Sequence, residues 1–316
     1  MQSEIENKYH SLAQLGAIRQ GCHSPSLTAR QALFLADQLV NQACPEASGM
    51  IASLRETLPL GSTGDYLARL DKRLGAIQAL PLLPGLWKDE TAVRSLYEIS
   101  GHVFRRGSFR ADTVIVVFTS KFNNYHVSNL VMDALLSELG VSRLYLKDTT
   151  GSIYFRGVIG FAPGLLELPE AIRALMDREG LKRAIITGFS SGGYAALVTA
   201  LHMDHIGFVG LSCNTDISPA SLLPIPNVFA SLRGWLPDWL FQDTRAFFEQ
   251  TPARAPYTFY YGSNDPNDMA HAVHLSGLAN VTISQIDGAN HQTTSALMER
   301  GELANPFAEI LIAAGV

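Results

Sequence analysis

The chain has little that would staple, anchor or electrostatically wrap it around a polyanion. Only 3 of its 316 residues are cysteine. Cys22, Cys44 and Cys213 are too few and too scattered for a disulfide framework or a Cys-x-x-Cys metal site. A reducing, cytoplasmic setting is therefore the expectation. No stretch of about 18 consecutive apolar residues occurs, so no membrane span is expected. The opening Met1 to Lys8 lacks a basic flank followed by an apolar core, which disfavours a secretory signal. Charged residues make up 17% and the formal net charge is −5. No run of Lys and Arg interleaved with aromatics is present, which argues against nucleic acid as a partner. What the chain does have is 47% hydrophobic residues over 316 positions, enough for a sizeable core in one large domain or two unequal ones.

Its most informative stretch is Gly188-Phe189-Ser190-Ser191-Gly192. Before it, Arg183-Ala184-Ile185-Ile186-Thr187 is short, β-branched and apolar, as a buried strand is; after it, Gly193 to Leu201 is mostly helix formers without a breaker. A strand that turns at once into a helix forces the serine between them to φ > 0, a strain of about 1–3 kcal/mol. Residues two positions either side must then lack bulk. Gly188 and Gly192 meet that demand. Such an elbow lifts the Ser190 hydroxyl above the sheet and aims the first N–H groups of the helix at the space in front of it, where an oxyanion would form.

A serine nucleophile needs a base, and the base needs a carboxylate to orient it. After the apolar run Tyr257 to Tyr261 comes Gly262-Ser263-Asn264-Asp265-Pro266, which puts Asp265 at the C-terminal end of a strand. Asp268 in the same loop and Asp216, after the preceding strand, are rival acids. Val281 to Ile286 alternates as a further strand and leads into Asp287-Gly288-Ala289-Asn290-His291, placing His291 on a loop at the same sheet edge. His271 and His274 fall on a helix beginning after Pro266, and His202 and His205 flank another helix end.

On these residues the last 220 or so positions resemble the α/β-hydrolase superfamily, whose triad runs Ser, then Asp or Glu, then His. The resemblance implies Ser190 as nucleophile, His291 as general base and then acid, and Asp265 as the carboxylate that fixes the imidazole. It implies an oxyanion hole built from the backbone N–H of Ser191 and a second donor from the loop after the first long strand, where Phe118-Thr119-Ser120-Lys121-Phe122 stands in place of the His-Gly of many members. Ser120 is the expected second donor, with Thr119 and Lys121 close by. No metal or organic cofactor is implied.

The order of segments supports the same fold class, α/β with a mainly parallel sheet and helices on both faces. Strand-like runs at Thr113 to Phe118, Arg143 to Leu146, Arg183 to Thr187, Ile206 to Leu211, Tyr257 to Tyr261 and Val281 to Ile286 alternate with helical patterns at Val127 to Leu139, Pro169 to Met176, the segment after the elbow, and Thr294 to Glu299 ahead of Pro306. Parallel strands require such crossovers, and ligands then bind at the C-terminal strand edge. Residues 217–254 interrupt the rhythm with five prolines (Pro219, Pro224, Pro226, Pro237, Pro252), Trp235 and the cluster Trp239-Leu240-Phe241; in α/β hydrolases an insertion here often caps the site. The alternative is ordinary helices packing on the sheet. Lys121, Tyr154, Arg156 and Trp239 are candidate substrate contacts at the mouth of the site.

The first 90 residues read differently, as helices at Leu27 to Ala43, Gly49 to Thr57 and Asp65 to Leu80, broken at Pro45, Pro59-Leu60-Gly61 and Pro81 to Pro84. A helical N-terminal region of residues 1–90 is thus expected ahead of a hydrolase domain of residues 91–316. It either packs on the hydrolase core or serves as a protein-binding arm. Tyr97 to Phe104 is a candidate edge strand. The functional expectation is a serine hydrolase that cleaves a small-molecule carboxylic ester or thioester through an acyl-enzyme. An acyltransferase with the same triad and a non-catalytic scaffold on the same fold are the alternatives.

Overall fold

The computed structural model describes residues 12–24, 27–58, 61–97, 101–250 and 255–316. Six helices come first: α1 (Leu12–Gly21), α2 (Ala29–Asn41), α3 (Ala47–Thr57), α4 (Ser62–Gln78), α5 (Leu83–Lys88) and α6 (Glu90–Tyr97). They are followed by β1 (His102–Arg105), β2 (Arg110–Phe118), α7 (Asn129–Ser137), β3 (Val141–Leu146), α8 (Leu168–Glu179), β4 (Arg183–Phe189), α9 (Ser191–Leu201) and β5 (Gly207–Leu211). The chain closes with α10 (Asn227–Leu232), α11 (Thr244–Gln250), β6 (Tyr257–Gly262), α12 (Pro266–His274), β7 (Val281–Ile286), α13 (Thr293–Arg300) and α14 (Asn305–Ala313). Pro59, Leu60, Pro252 and residues 98–100 of the expected Tyr97 to Phe104 strand lie outside the described residues.

The seven strands form one sheet in the order β1-β3-β2-β4-β5-β6-β7. Only β1 runs antiparallel, against β3; every other pairing is parallel. From β2 the chain moves to β3 on one side and returns to β4 on the other, so a crevice opens between the C-terminal ends of β2 and β4. The paired residues at that edge are Phe118 and Gly188, the last positions before the two loops that matter chemically.

The alternation within β2 explains why both faces need cover. Val114, Val116 and Phe118 belong to a core shared with α8, α9 and the segment carrying Phe229, Phe241 and Phe248. Ile115 and Val117 point into a second core with α7, α13, α14 and the N-terminal helices. The N-terminal helices are therefore continuous with the hydrolase core. Among the described residues, α4 packs on α13, and the fully buried Arg73 of α4 reaches Asp37 of α2 and Glu299 of α13. Fully buried Lys147, just after β3, donates to the carbonyl oxygens of Ser95 and Leu96, closing the C-terminal end of α6. Asn129 donates to the Leu96 carbonyl and to that of Asn123, so the same helix end is tied to the loop after β2.

Two expectations need adjusting. The helix expected at Thr294 to Glu299 lies ahead of Pro306 as α13, but it is not the last: Pro306 sits in the first turn of a further helix, α14, where a missing N–H is tolerated. Tyr97 ends a helix, and the edge strand starts only at His102.

Candidate active site

The elbow at the end of β4 has the strain its sequence demands. Ser190 lies at φ 55, ψ −125 between the strand and α9. A Cβ on Gly192 would overlap the carbonyl oxygens of Phe118 and Thr119, and one on Gly188 would meet Ala196 and the Gly192 carbonyl at 2.7 Å. Both glycines let the elbow and the end of β2 pass at close range.

His291, on the loop after β7, places Nε2 2.7 Å from the Ser190 hydroxyl. Its Nδ1 lies 2.9 Å from both carboxylate oxygens of Asp268. Asp268 is 6% exposed and occupies the first turn of α12. The acid facing the histidine is thus Asp268, not the expected Asp265. Asp265 is the N-cap of α12, and its Oδ1 accepts the backbone N–H groups of Asn267 (3.1 Å) and Asp268 (3.0 Å). Its side chain is held at the helix end by those bonds. Asp216 lies elsewhere: its side chain accepts the Ser218 N–H, and its backbone pairs with that of Asp243 in an isolated antiparallel bridge.

Burial pulls the His291 pKa down, but the hydrogen bond and charge of Asp268, with a smaller contribution from Asp265, outweigh it and leave it raised above the usual 6.5. An imidazole held this way keeps its proton on Nδ1, toward the carboxylate, and presents a lone pair on Nε2 to the serine. Ser212, in the left-handed region at φ 51, donates its hydroxyl to the His291 carbonyl at 2.9 Å and pairs with Thr293 Oγ1 at 2.9 Å. That fixes the backbone from which the imidazole hangs. Neither Ser212 nor the ring of Phe189, 5.6 Å from that of His291, carries a sequence signal beyond its position after a strand.

The loop after β2 differs from expectation. The N–H of Ser120 donates to the Asn124 carbonyl at 2.8 Å, so it closes the loop on itself and does not face the serine. The Ser120 hydroxyl accepts the Phe122 N–H. Lys121 instead sends its N–H across to the Ser191 hydroxyl at 2.8 Å.

A cavity of about 400 Å³ lies over these groups. Phe122, Phe189, Pro226, Val228 and Phe229 give it apolar walls, and Lys121, Asn124, His126, Asn214, Asn267 and Gln292 polar ones. Pro226, Val228 and Phe229 come from the described part, 217–250, of the segment expected as a cap. Burial pushes the pKa of His126 down to about 4, making it a neutral wall near pH 7. Of the candidate substrate contacts, only Lys121 lines this cavity. Tyr154 is fully buried and its hydroxyl donates to the carbonyls of Thr119 and Leu146, bracing the end of β2. Arg156 stacks on Trp235 at 4.6 Å. Trp239 is 63% exposed and borders a separate, smaller hollow with Phe155 and Leu165.

Two groups of side chains have the ligand types for a metal: Asp265, Asp268 and His291, and Asp216, Asp243 and His274. In the first, the nitrogens of His291 already face Asp268 and Ser190, and Asp265 caps a helix. In the second, His274 Nε2 is paired with Asp243 at 2.8 Å. Both sets are satisfied by hydrogen bonds within the protein.

A serine on a strained strand-to-helix turn, a histidine after the last strand and an acid after the strand before it lie together at the C-terminal edge of a mainly parallel sheet. The chain has the α/β-hydrolase fold. No protein-family model matches it, and no curated protein sequence does. Solved structures similar to it include MenH from S. aureus, with 12% identity over 68% of this chain and 99% of that one at a TM-score of 0.47. Thermogutta terrifontis esterase 2, phosphonylated by sarin, shows 14% identity over 68% and 90% at 0.49. The Pyrococcus furiosus esterase PF2001 shows 14% over 64% and 82% at 0.44.

Proposed function

We propose that the chain is a serine hydrolase that cleaves a small carboxylic ester or thioester through an acyl-enzyme. The observation that carries this is the unbroken line from Ser190 Oγ to His291 Nε2 at 2.7 Å and from His291 Nδ1 to Asp268 at 2.9 Å, beneath a cavity. In this reading Ser190 attacks the acyl carbon while His291 takes its proton, and Asp268 holds the tautomer and stabilises the imidazolium. The Ser191 N–H, at the first position of α9, donates to the oxyanion. As the tetrahedral species collapses, His291 passes the proton to the leaving alkoxide or thiolate. Water then repeats the sequence with His291 as base, releasing the acid and restoring Ser190. The 217–250 segment acts as a cap that limits water, and a cavity of about 400 Å³ at the small end of ligand sites favours compact acyl groups.

The test is intact mass after treatment with a fluorophosphonate, comparing wild type with Ser190→Ala, followed by p-nitrophenyl esters of graded chain length with and without alcohol acceptors. One adduct, lost in the variant, and turnover that peaks at short acyl chains are expected. A folded wild type that forms no adduct and hydrolyses no ester would overturn the proposal.

A further inference from the structure

The backbone N–H groups of the loop after β2 can be followed one by one. Ser120 donates to Asn124 O, Phe122 to Ser120 Oγ and Asn123 to Ser120 O. Each closes within the loop. The Lys121 N–H leaves the loop and ends on the Ser191 hydroxyl. None of these four N–H groups is therefore open to an oxygen in the cavity. A buried donor must end somewhere, and here the line ends on a side chain.

That side chain is unusually placed. Ser191 is 3% exposed, lines the cavity, and follows the nucleophile directly. Its oxygen accepts from Lys121, and among the described residues no carbonyl or carboxylate accepts its own proton. A hydroxyl that is already an acceptor is polarised to donate, since chained hydrogen bonds reinforce one another. Ser190 and Ser191 line the same cavity side by side.

We propose that the Ser191 hydroxyl is the second oxyanion donor of this site, relaying the Lys121 N–H, so that Ser191 donates twice: through its backbone N–H and through Oγ–H. The inference rests on the acyl-enzyme reading above. It makes position 191 a catalytic one in its side chain as well as in its backbone, a role that a Gly-x-Ser-x-Gly spacing leaves open to any residue.

The experiment compares Ser191→Ala, Ser191→Cys and Ser191→Thr with wild type. The readouts are kcat and KM on the best ester, affinity for an alkyl boronic acid that forms a tetrahedral adduct, and phosphonylation of Ser190. Removing one such donor lowers kcat about 10²- to 10³-fold. That loss is expected in the alanine variant with KM nearly constant and boronate affinity falling in parallel. The cysteine variant, close in shape but a poor donor, should resemble alanine, while threonine keeps the hydroxyl and most of the rate. Should alanine fail to fold, the contrast between cysteine and threonine gives the same answer. A kcat that is unchanged or raised in the folded alanine or cysteine variant would overturn the inference, because the Lys121 N–H would then serve directly once uncovered. Wild type that resists phosphonylation would instead sink the acyl-enzyme reading itself, so the two failures are distinguishable.

Discussion

Replacing Asp268 and Asp265 separately makes the sharpest test of the site, because the two carboxylates lie three residues apart and have opposite jobs. Both oxygens of Asp268 are 2.9 Å from His291 Nδ1. Asn at 268 presents an NH₂ group on one side; where that group faces Nδ1, the ring is driven to carry its proton on Nε2 and can no longer accept from Ser190. Loss of a triad acid in this manner costs about 10⁴ in kcat, or roughly 5.5 kcal/mol of barrier. Asp265 accepts two N–H groups through Oδ1, an office Asn performs as well as Asp. Asp265→Asn should therefore stay within about threefold of wild type, and Asp265→Ala should lower unfolding stability by about 1 kcal/mol while retaining most activity. Initial rates on a p-nitrophenyl ester at pH 8, with a urea unfolding curve for each variant, give both numbers. The reasoning fails if Asp265→Asn loses several orders of magnitude while Asp268→Asn remains active.

Further outcomes follow from the same geometry. The rate should rise with pH through a His291 pKa above 6.5, since the base must be neutral, and in any Asp268→Asn variant with measurable rate the acid limb should move to lower pH. The sign for stability is the reverse: the stabilisation from charged His291 is complete below its unfolded value of about 6.5 and is lost as pH rises through the raised folded one. His126 and His205, both pushed down to about 4 by burial, act oppositely. They destabilise the fold as pH falls from about 6.5 to 4, a trend acid unfolding curves would expose. Arg73→Met leaves the buried Asp37 carboxylate without its cation, while Glu299 keeps Arg69 at 3.2 Å, and should cost about 3–5 kcal/mol. A chemical-denaturation change below 1 kcal/mol would contradict the packing described. Gly192→Ala would push on the Phe118 and Thr119 carbonyls and should reduce kcat by displacing the loop after β2, which the same ester assay measures.

Much of the sheet was legible because its strands are runs of β-branched and aromatic residues bounded by turns. Val281 to Ile286 matches β7 at both ends, and Tyr257 to Tyr261 falls one residue short of β6. Helix ends were less so: the expected Val127 to Leu139 is helical only over Asn129–Ser137, since Ser128 caps it. The serine and histidine stand out because an elbow and a strand-terminal loop have steric signatures. The acid has none, yet Asp265-Pro266 held a clue: an Asp before a Pro that opens a helix is an N-cap, already engaged, which leaves Asp268 to face the histidine. Ser120 was misplaced because nothing in a pentapeptide tells which of its N–H groups will close the loop. Contacts between α4 and α13 were out of reach, as no local pattern pairs residues so distant in sequence.

The distance along the chain between those partners has a temporal side. Arg73 and Glu299 are separated by 226 residues, and ribosomes add about 5–20 residues per second, so roughly ten to fifty seconds pass between their syntheses. For that interval the apolar face of α4, including Leu70 and Leu74, which end fully or nearly buried, lacks its final partner α13. That face of α4 thus reaches its native seat only after every strand of the sheet has been synthesised.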